Sequence, residues 1–194
     1  MYTFIVNPNA KTGLGYQVWS SLEAILKEKN VNYQVFFTKY QKHATRLAQK
    51  LTQESGAKTL IVLGGDGTIN EVINGIEDLD GTVLGYIPIG SSNDFARGMG
   101  LSTDPVQALK HILSPERFTY INIGTAMYAG KTRRFAVSSG LGFDAGVCHQ
   151  VYVSKLKKLL NKLHLGKLSY AAVALQQILT MTPLKMTLTL DDNL

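Results

Sequence analysis

The sequence has 194 residues, of which 45% are hydrophobic and 18% are charged, so its composition is that of a globular protein with ample material for a core. The single cysteine, Cys148, excludes an intramolecular disulfide and agrees with a reducing compartment. No stretch reaches the roughly 20 apolar residues of a membrane-spanning helix, and the N-terminus lacks a basic, apolar leader. The sequence therefore predicts a cytoplasmic protein that lies at most on a membrane surface.

The formal net charge of +6 comes from one C-terminal segment. Residues 145–190 contain no Asp or Glu but hold six of the 20 basic residues, which leaves 14 basic residues against all 14 acidic ones elsewhere. Such a patch suits an anionic membrane surface, and a solvated helix face is the alternative. Nucleic acid is not expected as a partner, because arginine is absent from the segment and no recognition motif is present.

Strand and helix patterns alternate over the first 115–120 residues. The predicted strands are rich in β-branched and aromatic residues, and they span Thr3–Val6, Tyr33–Thr38, Thr59–Leu63 and Val83–Ile87. Helical spacing of apolar residues predicts helices through Val18–Leu26, Ala44–Leu51, Ile69–Ile73 and, after a Thr-Asp-Pro start, Val106–Ile112. The third strand is apolar, as in strands buried on both faces of a parallel sheet. This order predicts a doubly wound α/β domain.

The pattern changes after residue 118. Phe118–Ile123 and Arg134–Val137 are predicted as strands of a hairpin that turns at Ala129-Gly130. Two helical stretches and a final strand, Met186–Leu190, follow. This last strand would form an edge that could pair with a second copy of the chain, so a homo-oligomer is a possible state.

Two of the three glycine-rich loops are interpreted as structural. Gly130-Lys131-Thr132 resembles the end of a P-loop, but its spacing from Gly124 is one residue too long and it falls in a hairpin. The run Gly140–Ala145 fits the dinucleotide pattern G-x-G-x-x-A, yet the acidic residue expected about 20 residues later is missing. A glycine turn is the better interpretation of that run.

The third loop, Gly64–Glu71, follows a buried strand and opens a helix, where open α/β sheets place their ligands. Its glycines let backbone N–H groups approach phosphate oxygens, and the helix N-terminus favours an anion. Asp66 would repel a bare phosphate, so it implies a Mg²⁺ ion between the two. The alternative is an Asp-Gly turn in which the aspartate caps the helix.

Polar residues also follow the other predicted strands. The segment Pro88–Arg97 ends the next strand, while Asn7 and Thr38 stand at the ends of the first two. Because parallel strands end at one edge of their sheet, these residues at the strand ends are expected to lie together in one crevice.

The runs GGDGTINEVING at 64–75, PIGSSNDFAR at 88–97 and NPNAKTG at 7–13 resemble the diacylglycerol kinase catalytic family. Thr38 with His43-Ala44 fits the family's Thr…Gly-His-Ala element, although Lys42 stands where glycine is usual. Ser91 replaces the usual threonine and keeps the hydroxyl. The run Gly140–Ala145 is similar to the family's Gly-x-Gly-Phe-Asp segment.

The resemblance implies a phosphofructokinase-like α/β nucleotide-binding domain over residues 1–118, followed by part of a β-sandwich-type second domain over residues 119–194. It implies an ATP-dependent lipid kinase that transfers the γ-phosphoryl group to a diacylglycerol-like hydroxyl at an anionic membrane, to which the protein binds peripherally. GGDGT is shared with NAD kinases, so an NAD kinase-like enzyme is one alternative. A non-catalytic nucleotide-binding fragment is the other.

The implied cofactors are ATP and Mg²⁺, with Asp66 as the catalytic residue that acts on the phosphates through Mg²⁺ and water. Asp94 would help to hold that network. The family's glutamate base and its structural Mg²⁺ site would fall beyond residue 194, so weak or no activity is expected of this chain. The implied nucleotide contacts are Asn7, Pro8, Asn9, Ala10, Lys11, Thr38, Gly64, Gly65, Asp66, Gly67, Thr68, Ile69, Asn70, Ser91 and Asp94.

The basic C-terminal segment yields a prediction of its own. Leucines at helical spacing alternate with lysines from Lys155 to Leu163, which is typical of a basic amphipathic helix on a membrane surface. Changing Lys155, Lys157, Lys158 and Lys162 to glutamate should abolish sedimentation with anionic vesicles, because the charge attraction is reversed. Unchanged binding would refute the membrane interpretation and favour a solvated helix face.

Overall fold

The structure is a computed structural model that describes residues 1–53, 58–143, 145–148, 175, 178–180, 185 and 187. The chain forms two compact units, Met1–Ser138 and Ser139–Leu194. The predicted basic helix and nearly all of the predicted strand Met186–Leu190 lie outside the described residues. Among the described residues, no helix is long and apolar enough to cross a membrane.

The first unit alternates strands and helices and ends in a hairpin. In chain order its elements are β1 Tyr2–Val6, α1 Ala10–Glu28, β2 Tyr33–Phe37, α2 His43–Thr52, β3 Lys58–Gly64, α3 Asp66–Gly75, β4 Thr82–Pro88, α4 Asp94–Gly98, α5 Pro105–Leu113, β5 Gly124–Tyr128 and β6 Lys131–Phe135.

The first four strands form one parallel sheet in the order β2-β1-β3-β4. Val6 pairs with Phe37 on one side and Leu63 on the other, and Gly64 pairs with Pro88. This register brings the carboxyl ends of all four strands to one edge. The predicted α/β fold with a parallel sheet is therefore confirmed.

Helices cover both faces of the sheet, because successive strand residues point to opposite sides. Phe4 and Val6 pack with Trp19, Leu22 and neighbouring residues of α1 and α5. Ile5 and Val62, on the other face, pack with residues of α2, α3 and α4. Full burial of such a side chain stabilises the fold by about 1.5–3 kcal/mol.

An aromatic cluster holds α1 on its face of the sheet. The ring of Trp19 lies 5.0 Å from that of Phe4, 5.9 Å from that of Tyr33 and 6.2 Å from that of Phe37, all edge to face. Such pairs contribute about 0.5–1.5 kcal/mol each beyond burial. The middle of α1 is therefore held against β1 and β2.

The predicted start of α5 is confirmed. Asp104 precedes the helix, and its Oδ1 accepts the backbone N–H of Gln107 at 2.8 Å. Pro105 occupies the first turn, where its missing N–H costs no helical hydrogen bond.

The prediction of a strand over Phe118–Ile123 is wrong, because the first strand of the hairpin is Gly124–Tyr128. The turn at Ala129-Gly130 is as predicted, with positive φ at both residues. This two-residue turn pairs Tyr128 with Lys131. The last pair of the hairpin is then Gly124 with Phe135. Phe118 is 70% exposed and has no partner across the ladder, because β6 ends at Phe135.

The hairpin packs on the carboxyl end of α3. Asn74 accepts the backbone N–H of Arg134 at 2.8 Å and donates to its carbonyl oxygen at 2.9 Å. The Arg134 guanidinium donates to the carbonyl oxygens of Ile73 and Ile76, at 3.1 and 2.6 Å. A cation is favourable at this negative end of a helix dipole. The hairpin belongs to the first compact unit, while the boundary at residue 118 and the β-sandwich second domain stay predictions.

Helices α2 and α3 approach so closely that Gly75 has no room for a side chain. A Cβ atom at this position would overlap the carbonyl oxygen of Thr45 and lie 3.0 Å from Ala48 Cβ. We expect Gly75→Ala to lower the free energy of unfolding by about 1–3 kcal/mol, as overpacking does. Urea denaturation measures the change. Gly98→Ala in α4 is the matched control, because nothing lies within 4 Å of its added methyl; equal loss in both variants would contradict the packing argument.

Candidate functional site

A cleft of about 450 Å³ opens at the carboxyl edge of the parallel sheet. Its walls come from the loops after β1, β2, β3 and β4 and from the first turns of α2 and α3. The lining residues are Asn7, Asn9, Ala10, Lys11, Thr38, Lys39, Tyr40, Gln41, Ala44, Gly65, Gly67, Thr68, Glu71, Gly90 and Ser91.

The end of β1 is tied to the start of α3. The Asn7 amide donates to Thr68 Oγ1 at 3.0 Å, and its Oδ1 accepts the backbone N–H of Asn9 at 3.0 Å. Thr68 packs directly on Gly64, where an added Cβ would lie 2.6 Å from the threonine Cβ. Glycine is therefore required at position 64 for this threonine to reach Asn7.

The loops after β3 and β4 touch through their glycine backbones. A Cβ on Gly90 would lie 2.8 Å from Gly65 Cα, and a Cβ on Gly65 would lie 3.1 Å from Gly90 Cα. Asn93, with φ of 54°, folds back so that its Oδ1 accepts the Gly90 N–H at 2.7 Å. Asparagine tolerates this left-handed conformation better than most residues.

Asp66 links the same two loops. Its Oδ1 accepts the backbone N–H of Phe95 at 3.1 Å, so the carboxylate caps the first turn of α4 from another segment. Beneath it, the Tyr86 hydroxyl donates to the carbonyl oxygen of Gly64 at 3.2 Å. Burial raises the pKa of the Tyr86 phenol, and the Asp66 carboxylate raises it further, so Tyr86 stays protonated as a donor.

The loop after β1 turns sharply before α1 becomes regular. Lys11, Thr12 and Gly13 have φ values of 48°, 61° and 97°. Gly15 then lets the helix pack on the strand exit, since a Cβ there would overlap the carbonyl oxygen of Asn7. These constraints hold Asn9, Ala10 and Lys11 at the rim of the cleft.

The loop after β2 forms the opposite wall. The Thr38 N–H donates to the Val6 carbonyl at 2.8 Å, and the Lys39 N–H donates to His43 Nδ1 at 3.0 Å. Tyr40 stacks on His43 with ring centroids 4.6 Å apart. Lys42 has φ of 67°, and its N–H donates to Glu71 Oε1 at 2.9 Å.

The structure brings most of the sequence-predicted contacts to this cleft. Those that line it are Asn7, Asn9, Ala10, Lys11, Thr38, Gly65, Gly67, Thr68 and Ser91. The predicted contacts that do not line it are Pro8, Gly64, Asp66, Ile69, Asn70 and Asp94.

Four of these six differences have a local cause. Ile69 is buried in the core against α2, and the Gly64 carbonyl is taken by Tyr86 and by the backbone of Ile89. Asp66 points to the start of α4. In the loop after β4, Asn93 makes the structural hydrogen bond, while Asp94 is exposed beside it.

Six lining residues belong to loops or motifs of the sequence, or to the path between them, but are not among the nucleotide contacts that it implies, and these are Lys39, Tyr40, Gln41, Ala44, Glu71 and Gly90. Glu71 could have been found, because it follows Gly67 by four residues and so shares a helix face with it. Lys39 to Gln41 carry no motif, and only the path of the loop brings them to the cleft.

The chemistry of the cleft suits an anion. The N-terminal turn of α3 and the glycine backbones offer N–H groups, and Lys11 and Lys39 add positive charge at the rim. Among the residues that the structure describes, no group of three or more His, Cys, Asp or Glu could hold a metal ion.

The parallel sheet flanked by helices defines an α/β domain, and the glycine loops at its carboxyl edge are an arrangement that suits a phosphate group. The model of the diacylglycerol kinase catalytic domain family matches residues 1–125. The chain belongs to this family, and the resemblance recognised in its motifs is confirmed.

The chain is similar to proteins that are named as lipid kinases. The chain is 33% identical to "Putative lipid kinase YtlR" of Bacillus subtilis over 196 aligned residues. The alignment covers 98% of the chain and 63% of that protein. It is 31% identical to a Bacillus subtilis diacylglycerol kinase over 78% of the chain and 49% of that protein. The chain thus spans less than two thirds of the length of either relative.

A solved structure shows the same fold. It is described as a "putative diacylglycerol kinase from Bacillus anthracis str. Sterne" and superposes with a TM-score of 0.53 at 28% identity. The match covers 68% of this chain and 44% of that one.

Lys42 has a left-handed backbone conformation, which favours glycine. A residue with a Cβ costs about 1–2 kcal/mol in this conformation. We expect Lys42→Gly to raise the free energy of unfolding by up to about 1 kcal/mol. The relief of backbone strain is larger than this, but glycine also raises the entropy of the unfolded chain, which offsets part of the gain. Thermal or urea unfolding measures the difference.

Lys50→Gly is the matched control for this substitution, because Lys50 is exposed on regular α2. There the same change should destabilise by about 1 kcal/mol. If both variants lose stability equally, strain at Lys42 is not the explanation.

Proposed function

We propose that this chain is the nucleotide-binding part of an ATP-dependent lipid kinase that transfers the γ-phosphoryl group to the hydroxyl of a diacylglycerol-like lipid. The observation that carries the proposal is the pair of touching glycine loops, Gly65 against Gly90, at the rim of the cleft. Family membership and the names of the relatives support a lipid as the acceptor.

The triphosphate is assigned to the loop after β3. Gly65 and Gly67 leave the backbone open to close approach, and the N-terminus of α3 favours negative charge. Thr38 lies at the end of β2, which is two strands away from β3 in the sheet. Neighbouring strands are about 4.8 Å apart. The nucleoside then extends toward Thr38–Gln41, and the cleft volume of about 450 Å³ is ordinary for a small-molecule site.

We propose that a Mg²⁺ ion arrives with the nucleotide. Magnesium is usually held by one or two carboxylates together with substrate phosphates, and Asp66 is the carboxylate of the phosphate loop. Its Oδ1 is engaged by Phe95, so Oδ2 is the oxygen we assign to the ion or its water. When bound, the ion neutralises charge on the phosphates. Asp94 is a second carboxylate at the start of α4 and is assigned to the same network.

The chain's own contribution to transfer is positioning. The hydrogen bonds of Asn7, Asp66 and Asn93 fix the loops before any ligand binds, so little reorganisation is needed. We also propose that residues 119–194 belong to a β-sandwich-type domain that carries the lipid site. A peripheral position on an anionic membrane would bring the acceptor to it.

The first test is transfer of labelled γ-phosphate from Mg-ATP to mixed-lipid vesicles, with NAD as a parallel acceptor. We expect slow transfer to the lipid and none to NAD, and that transfer should fall at least about 100-fold in Asp66→Ala and Asp66→Asn, because both remove the carboxylate charge. Binding of Mg-ATP, measured by calorimetry, reports on the site even where transfer is slow.

Comparison of the two Asp66 variants separates chemistry from structure. Asparagine keeps an acceptor for the Phe95 N–H, whereas alanine removes it and should cost about 1 kcal/mol of stability as a lost cap. Label in NAD without label in lipid would reassign the acceptor. Failure of the wild-type chain to bind Mg-ATP would overturn the proposal.

A further inference from the structure

Glu71 stands between two walls of the cleft. It is half-buried on α3, one turn after the glycine loop, and lines the cleft on the same helix face as Gly67. Its Oε1 accepts the backbone N–H of Lys42 at 2.9 Å, and its carbonyl oxygen accepts the Thr45 hydroxyl at 2.9 Å. Glu71 therefore joins the phosphate-loop helix to the start of α2.

The wall that Glu71 holds is a strained loop. Thr38, Lys39, Tyr40 and Gln41 all line the cleft, and the last three of them are exposed. Lys42 closes the loop in the left-handed conformation, which a residue with a side chain adopts reluctantly. A hydrogen bond from its N–H to a fixed carboxylate stabilises that conformation.

We infer that Glu71 is a positioning residue, which sets the distance between the wall for the nucleoside and the loop for the phosphates. The inference rests on the proposed nucleotide site and goes beyond it, because it assigns the geometry of the cleft to one carboxylate that does not need to touch the reacting atoms. The role requires an oxygen acceptor and not a negative charge. Glutamine can therefore replace glutamate, and alanine cannot.

The experiment compares Glu71→Ala with Glu71→Gln. Calorimetry gives the dissociation constant of Mg-ATP, and hydrogen exchange of the peptide 38–43 reports on the loop itself. We expect Glu71→Ala to weaken Mg-ATP binding by up to about tenfold, as loss of one hydrogen bond does, and to speed exchange in the loop. Glu71→Gln should stay close to the wild type in both measurements.

Glu77→Ala is the matched control. Glu77 accepts a hydrogen bond from Gln49 on α2 at 2.7 Å, so it makes a comparable link between the same two segments of chain, but it does not line the cleft. Its loss should leave both Mg-ATP binding and exchange of the peptide 38–43 unchanged. Thermal unfolding of each variant verifies that it folds.

The outcomes separate this inference from the proposed function. If glutamine weakens binding as much as alanine, the charge acts on the ligand and the positioning role is overturned. Unchanged loop exchange in Glu71→Ala overturns it as well. If the wild-type chain does not bind Mg-ATP, the proposed function fails, while faster exchange only in Glu71→Ala still upholds the link between Glu71 and the loop.

Discussion

The site depends on the contact between the backbones of Gly65 and Gly90. The parallel register places Gly64 opposite Pro88, so the loops that leave β3 and β4 begin side by side. A Cβ atom on Gly90 would clash with Gly65 Cα, and a Cβ atom on Gly65 would be tight against Gly90 Cα. This close approach lets Asp66 reach the first turn of α4. A side chain at position 90 would push the loops apart and strain that hydrogen bond.

Polar side chains that the motifs mark as ligands are largely occupied with holding the protein together. Asn7 bonds to Thr68, and Asp66 bonds to Phe95. Each bond joins a strand exit to a neighbouring loop or helix, so the cleft is built before a ligand enters. Such prior ordering lowers the cost of binding, since the groups do not lose freedom at that step.

The parallel sheet was predictable because buried strands have a simple signature. Leu60 to Leu63 are apolar on both faces, and Pro88 and Gly90 end the next strand where the loops must diverge. The same logic places Asn7, Thr38 and Gly65 at one edge. The start of β5 was not predictable from composition, because Phe118 and Tyr120 have strand-like side chains but no partner in the hairpin ladder.

Within the site, the limit was side-chain direction. A carboxylate at position 94 resembles a ligand as much as the amide at position 93, and only the left-handed backbone of Asn93 shows which one folds back on Gly90. Tyr40 and Gln41 belong to no motif, so their place in the wall follows from the path of the loop and from the bond between Lys42 and Glu71.

The Arg134 guanidinium has a consequence for the order in which the protein folds. All four strands of the parallel sheet are complete at residue 88. The cation at the last turn of α3 comes from Arg134, about 60 residues after that turn in the chain. Chains grow from the N-terminus and domains fold as they emerge. During synthesis the carboxyl end of α3 therefore lacks this cation until residue 134 has been added, although every strand of the sheet is already made.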